Sequence, residues 1–447
     1  MALEPWVRIG QPLEAVMDDY KRIFDAWEAG GVRGLVFGRL VFADEKGAFT
    51  IPAFPSKIEA YRDRGLEAEE RQSQKDAAKE KLLHEMLGDA KGRGWTILVF
   101  SPGTGCTSAK ALPVDQDPYG AIATAARWDE IFSAFPEADG GLPDGWTESA
   151  YELTFHHGNA VFRDIPENTK TQATARGYDA ERLERGMLHL QQRFQSLTPS
   201  MVHYYGAHGV LSEMNLFDIN EDALYWLRWR REDGIKEGQA VRRELDKLPR
   251  RLMLGNGPRS AVFSGMTALD FHAWDEIADF LMVKHYFWHR GFDGMYGTVA
   301  RWVKQIQAWN PDLSEQDCFT VVRAWLGVNL PEVNCLEDMD LGFPQAFFDE
   351  VVQEETRRAV AAVSDPGKIV PWVDTGRMPH AGDPMTAGDL HRILTASEEA
   401  GLQRFLFHNH AHLTAAEWCV ISRLCGTEWN EDETGYWPPN TPRPSTH

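Results

Sequence analysis

The chain has 447 residues and a mass of 50.6 kDa, which is long for one ordinary domain but within the range of a single large α/β barrel. Its composition, 43% hydrophobic and 25% charged, is that of a globular protein and excludes disordered, collagen-like and coiled-coil chains. Acidic residues outnumber basic ones by 67 to 46, giving a net charge of −21, which disfavours nucleic acid and anionic membrane surfaces as partners.

The five cysteines are odd in number and include no Cys-x-x-Cys pair, so the sequence indicates neither a disulfide framework nor a structural zinc site. The amino terminus shows no basic segment followed by an apolar one, and no run of 18 apolar residues occurs. We therefore expect a cytoplasmic protein with no cofactor and no membrane partner. The 16 Trp, 23 Phe and 11 Tyr of this acidic chain suit a neutral, polyhydroxylated ligand, although most of them are expected to fill a large core.

Hydrophobic periodicity divides the chain into alternating strands and helices. The first helix carries a stripe formed by Val16, Tyr20, Ile23 and Trp27 and ends at Gly30-Gly31. The predicted strands follow in chain order at 32–42, 95–100, 145–155, 201–205, 251–254 with 260–263, 277–287, 368–373 and 404–408. Helical patterns lie between most of them, at 82–87, 119–135, 183–197, 221–248, 294–309, 315–326, 344–363, 386–400 and from 414 onwards.

Eight short apolar strands separated mostly by helices are typical of a (β/α)8 TIM barrel. The bare fold needs about 250 residues, so the excess is expected in long βα loops after the second, third and sixth strands. We assign residues 1–426 to a single catalytic barrel and 427–447 to a Pro-rich C-terminal tail. A doubly wound sheet is the alternative, but no Gly-rich nucleotide turn follows any strand, and Gly255-Asn-Gly-Pro258 lacks the third glycine and the Lys-Ser/Thr ending.

Acidic residues fall where the predicted strands end, which is the functional end of a parallel barrel. Asp374 directly follows the seventh strand and is the strongest catalytic candidate, with a salt bridge to Arg377 or Lys284 as the structural alternative. Glu152, and after it Glu148, are its candidate partners on the third strand; if that strand is misplaced, both become solvated loop acids. Acetal hydrolysis requires such a pair, one carboxyl as acid and one as base or nucleophile.

Donors and aromatic rings that could bind a sugar cluster after the sixth strand. Because side chains alternate along a strand, Lys284, Tyr286 and Trp288 can face the mouth together, or else His285, Phe287 and His289 can. The full set of candidate substrate-binding residues is Arg39, Lys284, His285, Tyr286, Trp288, Arg290, Trp372, His408 and His410.

Three histidines, at 408, 410 and 412, would share one strand face if the eighth strand extended that far. They could bind zinc, but metal-dependent barrel hydrolases carry paired histidines on the first strand, where this chain has only Arg39. Sugar binding or hydrogen bonding in the core is therefore favoured, and no metal is expected. Glu417 belongs to a capping box with Thr414, a structural role. Glu213 and Asp218 are weaker catalytic candidates, because the segment from Leu211 can begin a helix and an acid in a first helical turn commonly serves the helix dipole.

Several strand-end segments resemble a group of bacterial barrel proteins classed as uncharacterised glycoside hydrolases. The matching segments are 36–40, 144–152, 215–218, 224–228, 284–296, 371–376 and 407–413, and the resemblance runs from about residue 14 to about residue 426. It implies a (β/α)8 catalytic domain that acts on glycosides. It implies no catalytic residues, and the chain lacks the Asn-Glu pair found on the fourth strand of many retaining barrel glycosidases.

We therefore expect a glycoside hydrolase that cleaves a glycosidic bond in an oligosaccharide or glycoside, with a small carbohydrate as its substrate partner. A metal-dependent hydrolase or sugar isomerase that uses His408, His410 and Asp374 is the first alternative, and a carbohydrate-binding barrel without catalysis is the second. The sugar, the linkage and the stereochemical outcome stay open, as does the formation of a homo-oligomer.

Overall fold

A computed structural model of the chain describes residues 2–10, 13–38, 61–67, 77–102, 112–143, 151–154, 160–206, 208–267, 269–287, 294–373 and 386–443. It contains an eight-stranded parallel sheet whose strands are β1 Glu4–Ile9, β2 Gly34–Phe37, β3 Thr96–Phe100, β4 Gly140–Leu142, β5 Met253–Asn256, β6 Phe280–Leu281, β7 Trp372–Val373 and β8 Arg404–Phe407. Neighbouring strands pair in chain order from β1 to β6 and from β7 to β8, and β1 also pairs with β8.

The ring is completed between β6 and β7 by isolated bridges rather than a continuous ladder. Leu281 pairs with Ile369 and Lys284 pairs with Trp372, both in parallel. The Trp372 amide donates to the Val283 carbonyl at 2.7 Å. Together with the order of the strands, these bridges make the fold a (β/α)8 TIM barrel, as the sequence predicts.

Helices of very different lengths surround the barrel. They are α1 Glu14–Met17, α2 Tyr20–Ala29, α3 Ala77–Gly92, α4 Ala121–Ala134, α5 Glu167–Ala175, α6 Ala180–Phe194, α7 Pro199–Tyr205, α8 Val210–Leu216, α9 Glu221–Leu245, α10 Phe271–Trp274, α11 Met295–Trp309, α12 Glu315–Leu326, α13 Gln353–Ala361, α14 Ala387–Glu399, α15 Ala415–Cys425 and α16 Glu431–Thr434. Single turns of 3₁₀ helix occur at Ala261–Phe263, Asp338–Asp340, Pro366–Lys368 and His410–His412, and a π-helical segment spans Phe347–Val352. No helix of the described ranges is long and apolar enough to cross a membrane.

The barrel interior is filled by alternate side chains of the strands, as the two-residue period requires. Trp6 of β1 belongs to this interior and leaves no room for a side chain at its partner Gly34 on β2, where a Cβ would meet the Trp6 ring at 2.2 Å. The buried interior residues are Trp6, Val36, Leu98, Phe100, Leu142, Phe280, Met282, Tyr286, Val370, Trp372 and Leu406. A second, larger apolar layer joins the outer faces of the strands to the helices.

Alternation is clearest around β7. Val370 and Trp372 belong to the interior cluster, whereas Ile369 and Val373 belong to the layer beneath the helices. Odd-numbered residues of this segment therefore face outwards and even-numbered residues face the barrel axis.

Several helix predictions are confirmed. α2 buries Tyr20, Ile23 and Trp27 and ends just before Gly30, whereas Val16 of the same predicted stripe lies on the separate helix α1. α6 lies within the predicted helix 183–197 for most of its length and buries Leu183, Met187, Leu190 and Phe194. The capping box at Thr414 is also present: its hydroxyl donates to the Glu417 carboxylate at 2.7 Å while the Glu417 amide donates back at 3.3 Å. Glu417 is fully buried in this structural role.

Two predicted strands are wrong, and one observed strand was not predicted. Residues 201–205 form helix α7, because Thr198 caps its first turn and Pro199 occupies the first helical position, where a missing N–H costs nothing. The fourth strand of the barrel is Gly140–Leu142 rather than 145–155, and the described residues 151–154 are not a strand. The first strand, Glu4–Ile9, is absent from the sequence prediction. The remaining predicted strands overlap observed ones with different bounds, except that Ala261–Phe263, predicted as part of a strand, is a 3₁₀ turn.

The C-terminal segment packs against the barrel in the region of β8. Tyr436 is buried between Trp418 and His410, and the His410 Nε2 lies 3.2 Å from its hydroxyl. The Asn440 amide donates to the Leu413 carbonyl at 3.0 Å. The segment after residue 426 therefore covers the side of the barrel that Trp27 and Trp418 form.

Candidate functional site

The carboxyl end of the barrel is lined by aromatic rings and cations. Arg8, an inward residue of β1, places its guanidinium over the Phe100 ring at 4.1 Å and 5.9 Å from the Trp372 ring. Phe100 and Trp372 meet edge to face at 5.6 Å across the barrel. A cation on an aromatic face is attractive when water is largely excluded, as it is here.

Four of the predicted substrate-binding residues lie together at this end: Lys284, Tyr286, Trp372 and His408. The His408 ring is 5.3 Å from the Trp372 ring and 5.6 Å from the Tyr286 ring. A side chain on Gly257 would meet the Trp372 indole nitrogen at 3.8 Å and the Lys284 Cε at 4.0 Å, so these two groups flank one point. All four side chains are at least nine-tenths buried. We call this group, with Arg8 and Phe100, the mouth cluster.

The Trp372 indole offers a hydrogen bond towards this point. Its N–H is buried and has no acceptor among the residues that the structure describes. A buried donor without an acceptor costs about 1–3 kcal/mol, so its retention in the mouth cluster requires a reason. A ligand hydroxyl or carbonyl oxygen would supply the acceptor.

Two other predicted binding residues, His285 and His410, face the layer beneath the helices. His285 packs at 4.9 Å against Phe287, which belongs to the layer beneath the helices. His410 contacts Trp27 at 5.0 Å in that same layer. Burial lowers the pKa of each imidazole to about 3, which keeps both rings neutral at physiological pH.

The arrangement of the histidines bears on the metal alternative. β8 ends at Phe407 and the chain turns into a 3₁₀ helix at His410, so the alternation that would align His408 with His410 is broken. His408 faces the mouth cluster while His410 faces Trp27. Within the described part of the chain, no group of three His, Cys, Asp or Glu side chains could hold a metal ion.

Glu152 is a buried acid, although it does not lie on a strand. Its side chain is 2% exposed, and its Oε1 accepts from the Arg301 Nε at 3.1 Å and from the Arg301 terminal nitrogen at 2.5 Å. The neighbouring Tyr151 carbonyl accepts from the Trp302 indole at 3.0 Å. Helix α11, which begins shortly after β6 at the mouth, therefore fixes Glu152 in place. Glu152 is therefore not the solvent-exposed loop acid of the alternative given above.

Arg259 connects this acid to the mouth cluster. Its backbone bridges to Lys284, and its terminal nitrogen donates to the Thr298 hydroxyl at 3.1 Å. The same hydroxyl lies 3.2 Å from an Arg301 nitrogen and 3.5 Å from the Glu152 carboxylate. The Arg259 guanidinium also packs over Tyr151 at 4.3 Å. Polar contacts thus lead from Glu152 to the carboxyl end of the barrel.

Sequence reasoning missed the three arginines of this region. Arg8 was missed with its strand, although Trp6 and Arg8 show the two-residue period of Glu4–Ile9. Arg259 follows Gly255-Asn-Gly-Pro258, which was considered only as a phosphate loop, and its 1% exposure is extreme for an arginine. Arg301 lies on a predicted helix, where no local signal marks a partner distant in sequence.

Five predicted site residues lie outside the described residues: Asp374, Glu148, Arg39, Trp288 and Arg290. Of the two weaker catalytic candidates, Glu213 lies in the first turn of α8, where an acid interacts favourably with the helix dipole. Asp218 follows that helix and lies 3.3 Å from His189 on α6, among the outer helices.

No family model matches the chain, and no curated protein matches its sequence. Among solved structures, the chain is similar to the PgaB (BpsB) glycoside hydrolase domain from Bordetella bronchiseptica, with a TM-score of 0.48 and 12% identity over 94% of this chain and 99% of that one. The similarity to a chitinase from Chromobacterium violaceum has a TM-score of 0.38 at 10% identity over 95% and 99% of the two chains. A Group IV chitinase from Ostrinia furnacalis gives 0.40 at 9% identity over 94% and 99%.

Proposed function

We propose that the protein is a glycoside hydrolase that cleaves a glycosidic bond at the carboxyl end of its barrel. Asp374 would act as base or nucleophile and Glu152 as general acid, with Glu148 as the second candidate for the acid. Lys284, Tyr286, Trp372 and His408 would position the sugar. The reaction would require no cofactor, and the substrate would be an oligosaccharide or a small glycoside.

The observation that carries the proposal is the mouth cluster itself. Aromatic rings offer apolar faces to the C–H side of a sugar, and the Trp372 N–H, Lys284 and Arg8 are hydrogen-bond donors for its hydroxyls. β7 also supports the role of Asp374: Val370 and Trp372 are inward residues, and continued alternation would make Asp374 the next inward position.

The Glu152 contacts set a condition on its role. An ion pair with Arg301 needs an ionised carboxylate, whereas a general acid must carry a proton. As the acid, Glu152 would therefore have to be released from Arg301 when substrate binds. If Arg301 stays in place, Glu152 remains a carboxylate that orients the site, and Glu148 donates the proton.

Four variants test this assignment against a panel of 4-nitrophenyl glycosides and oligosaccharides. Asp374→Asn should lower kcat by about 10²–10⁴, the usual contribution of such a group, with an unchanged circular dichroism spectrum. Glu152→Gln and Glu148→Gln identify the general acid. A substrate with a good leaving group needs little protonation, so the variant that lacks the proton donor should lose much less activity on such a substrate than on one with a poor leaving group. The other variant should not show this difference.

Glu355→Gln is the matched control. Glu355 is also buried, at 4% exposure, and also pairs with an arginine, Arg358 at 2.8 Å, but it belongs to α13. Its loss should reduce stability and leave kcat intact. Full activity in Asp374→Asn would remove that residue from the mechanism. A protein that turns over no glycoside but is stabilised by one would be a carbohydrate-binding barrel.

A cytoplasmic location is part of the proposal. The four cysteines that the structure describes, Cys318, Cys335, Cys419 and Cys425, are all free thiols. Burial raises the pKa of Cys318 and of Cys425 to about 12, so both thiols are protonated and unreactive under physiological conditions. Unpaired cysteines are typical of reducing compartments.

A further inference from the structure

A cavity of about 270 Å³ lies next to the Glu152 site, on the other side of Arg301. One wall is a face of α11, formed by residues one turn apart: Tyr296, Ala300 and Lys304 in one row, Gly297 and Arg301 in the next. The amide of Tyr296 donates to the Phe287 carbonyl at 2.9 Å, so this face begins where the chain leaves the barrel after β6. The N-terminal end of this wall therefore lies near the carboxyl end of the sheet.

The opposite wall is the segment 336–340. Leu336 and Met339 contribute apolar surface, and Glu337 and Asp340 contribute carboxylates. Glu337 and Asp340 are exposed and Met339 is buried, so the apolar part lies deeper than the acidic part. The helix wall also combines the small residue Ala300 with the cations Arg301 and Lys304, of which Lys304 is exposed.

This lining fits a neutral molecule with many hydroxyl groups. Two cations supply donors and two carboxylates supply acceptors, so the formal charges balance and neither an anion nor a cation is favoured. The apolar part suits the C–H face of a ring. The volume is near the lower limit of about 300 Å³ for ligand pockets, which suits one small ring rather than an extended chain.

We propose that this cavity is a subsite for a second sugar unit of the substrate, beside the unit that is cleaved at the mouth cluster. The inference rests on the proposed function and makes the substrate an oligosaccharide rather than a monosaccharide glycoside. A sugar hydroxyl that accepts a hydrogen bond from Arg301 would compete with Glu152 for that guanidinium. Occupation of the subsite would thus release Glu152, as its role as an acid requires.

A second cavity of similar size, about 300 Å³, lies between α12 and the segment 328–334. Its lining includes Arg323 and Glu332 but neither Arg301 nor Thr298, the two residues described above as contacting Glu152. The subsite is therefore assigned to the cavity that shares Arg301 with the candidate acid.

The variant Ala300→Phe tests the proposal by filling the cavity. Ala308→Phe is the matched control, since Ala308 is an exposed residue of the same helix that does not line the cavity. We expect Ala300→Phe to lower kcat/KM for an oligosaccharide at least tenfold more than for the 4-nitrophenyl glycoside of the same sugar. Ala308→Phe should leave both values unchanged. Equal effects of Ala300→Phe on the long and the short substrate would overturn the proposal.

Lys304→Ala with Glu337→Ala removes a donor and an acceptor from the exposed edges of the two walls, in case Ala300→Phe does not fold. The double variant should show the same selective loss on the oligosaccharide, and equal losses on both substrates would count against the subsite. If the protein hydrolyses no glycoside, the proposed function fails, and the subsite is tested by the rise in melting temperature that oligosaccharides cause. A rise that is abolished in Ala300→Phe and retained in Ala308→Phe supports the subsite. A shift retained by both variants overturns the subsite.

Discussion

The two histidines that face away from the mouth make the stability of the barrel depend on pH. Burial lowers the pKa of His285 and His410 to about 3 in the folded protein, against about 6.5 in an unfolded chain. Between these values the unfolded chain binds more protons than the folded one. The contribution of the two neutral histidines to the free energy of unfolding is therefore complete above pH 6.5 and is lost as the pH falls towards 3.

The size of the effect follows from the two pKa values. One pKa unit corresponds to about 1.4 kcal/mol, and pH 5 lies about 1.5 units below the pKa of an unfolded histidine. Each buried histidine should therefore lower the free energy of unfolding by about 2 kcal/mol between pH 8 and pH 5. The two together should account for about 4 kcal/mol, a large part of the stability of an ordinary protein.

Urea unfolding at pH 8 and at pH 5 measures this dependence. His285→Gln and His410→Gln remove the titrating groups, so each variant should lose about 2 kcal/mol less than the wild type between the two pH values. The quantity compared is the change in the free energy of unfolding between pH 8 and pH 5. A loss of packing that is the same at both pH values therefore cancels. Wild-type pH dependence in both variants would show that these imidazoles take up protons in the folded state.

Three further predictions concern packing and binding. Gly34→Ala would place a Cβ 2.2 Å from the Trp6 ring and should lower the free energy of unfolding, measured in urea, by about 1–3 kcal/mol. The control Gly88→Ala, in open space on α3, should raise the free energy of unfolding by about 0.5–1 kcal/mol. Tyr436→Ala should lower the free energy of unfolding by about 3 kcal/mol, because the ring is buried against His410. A change below about 0.5 kcal/mol would mean that the C-terminal segment does not pack against the barrel in solution. Trp372→Phe keeps an aromatic ring and removes the indole N–H, so KM should rise several-fold with little change in melting temperature; an unchanged KM would show that this donor does not bind substrate.

The alternation of strands and helices could be predicted because most strands of this barrel are short apolar runs. Gly34–Phe37 and Thr96–Phe100 are buried on both faces, and such strands stand out from the amphipathic helices around them. β4 gives no such signal, since two of its three residues are glycines. A Cβ on Gly140 would meet the Met253 carbonyl oxygen at 2.0 Å, a constraint that arises only when β5 packs beside it.

The sites were harder to predict than the fold. Lys284, Tyr286, Trp372 and His408 could be grouped because all four belong to strand ends, and alternation then decides which side chains face the axis. Glu152 was chosen for a strand position that it does not occupy. Its burial comes from Arg301, which is 149 residues away in the chain, and no local pattern reports such a contact.

The junction between β6 and β7 is the weakest seam of the ring. Elsewhere neighbouring strands share ladders of two to four residue pairs, but here single bridges at Leu281 and Lys284 hold the two edges together. Amide hydrogens along this seam should exchange with solvent sooner than those of β1 and β2. Because the Lys284 bridge also carries Trp372, any opening of the seam would move two residues of the mouth cluster relative to each other.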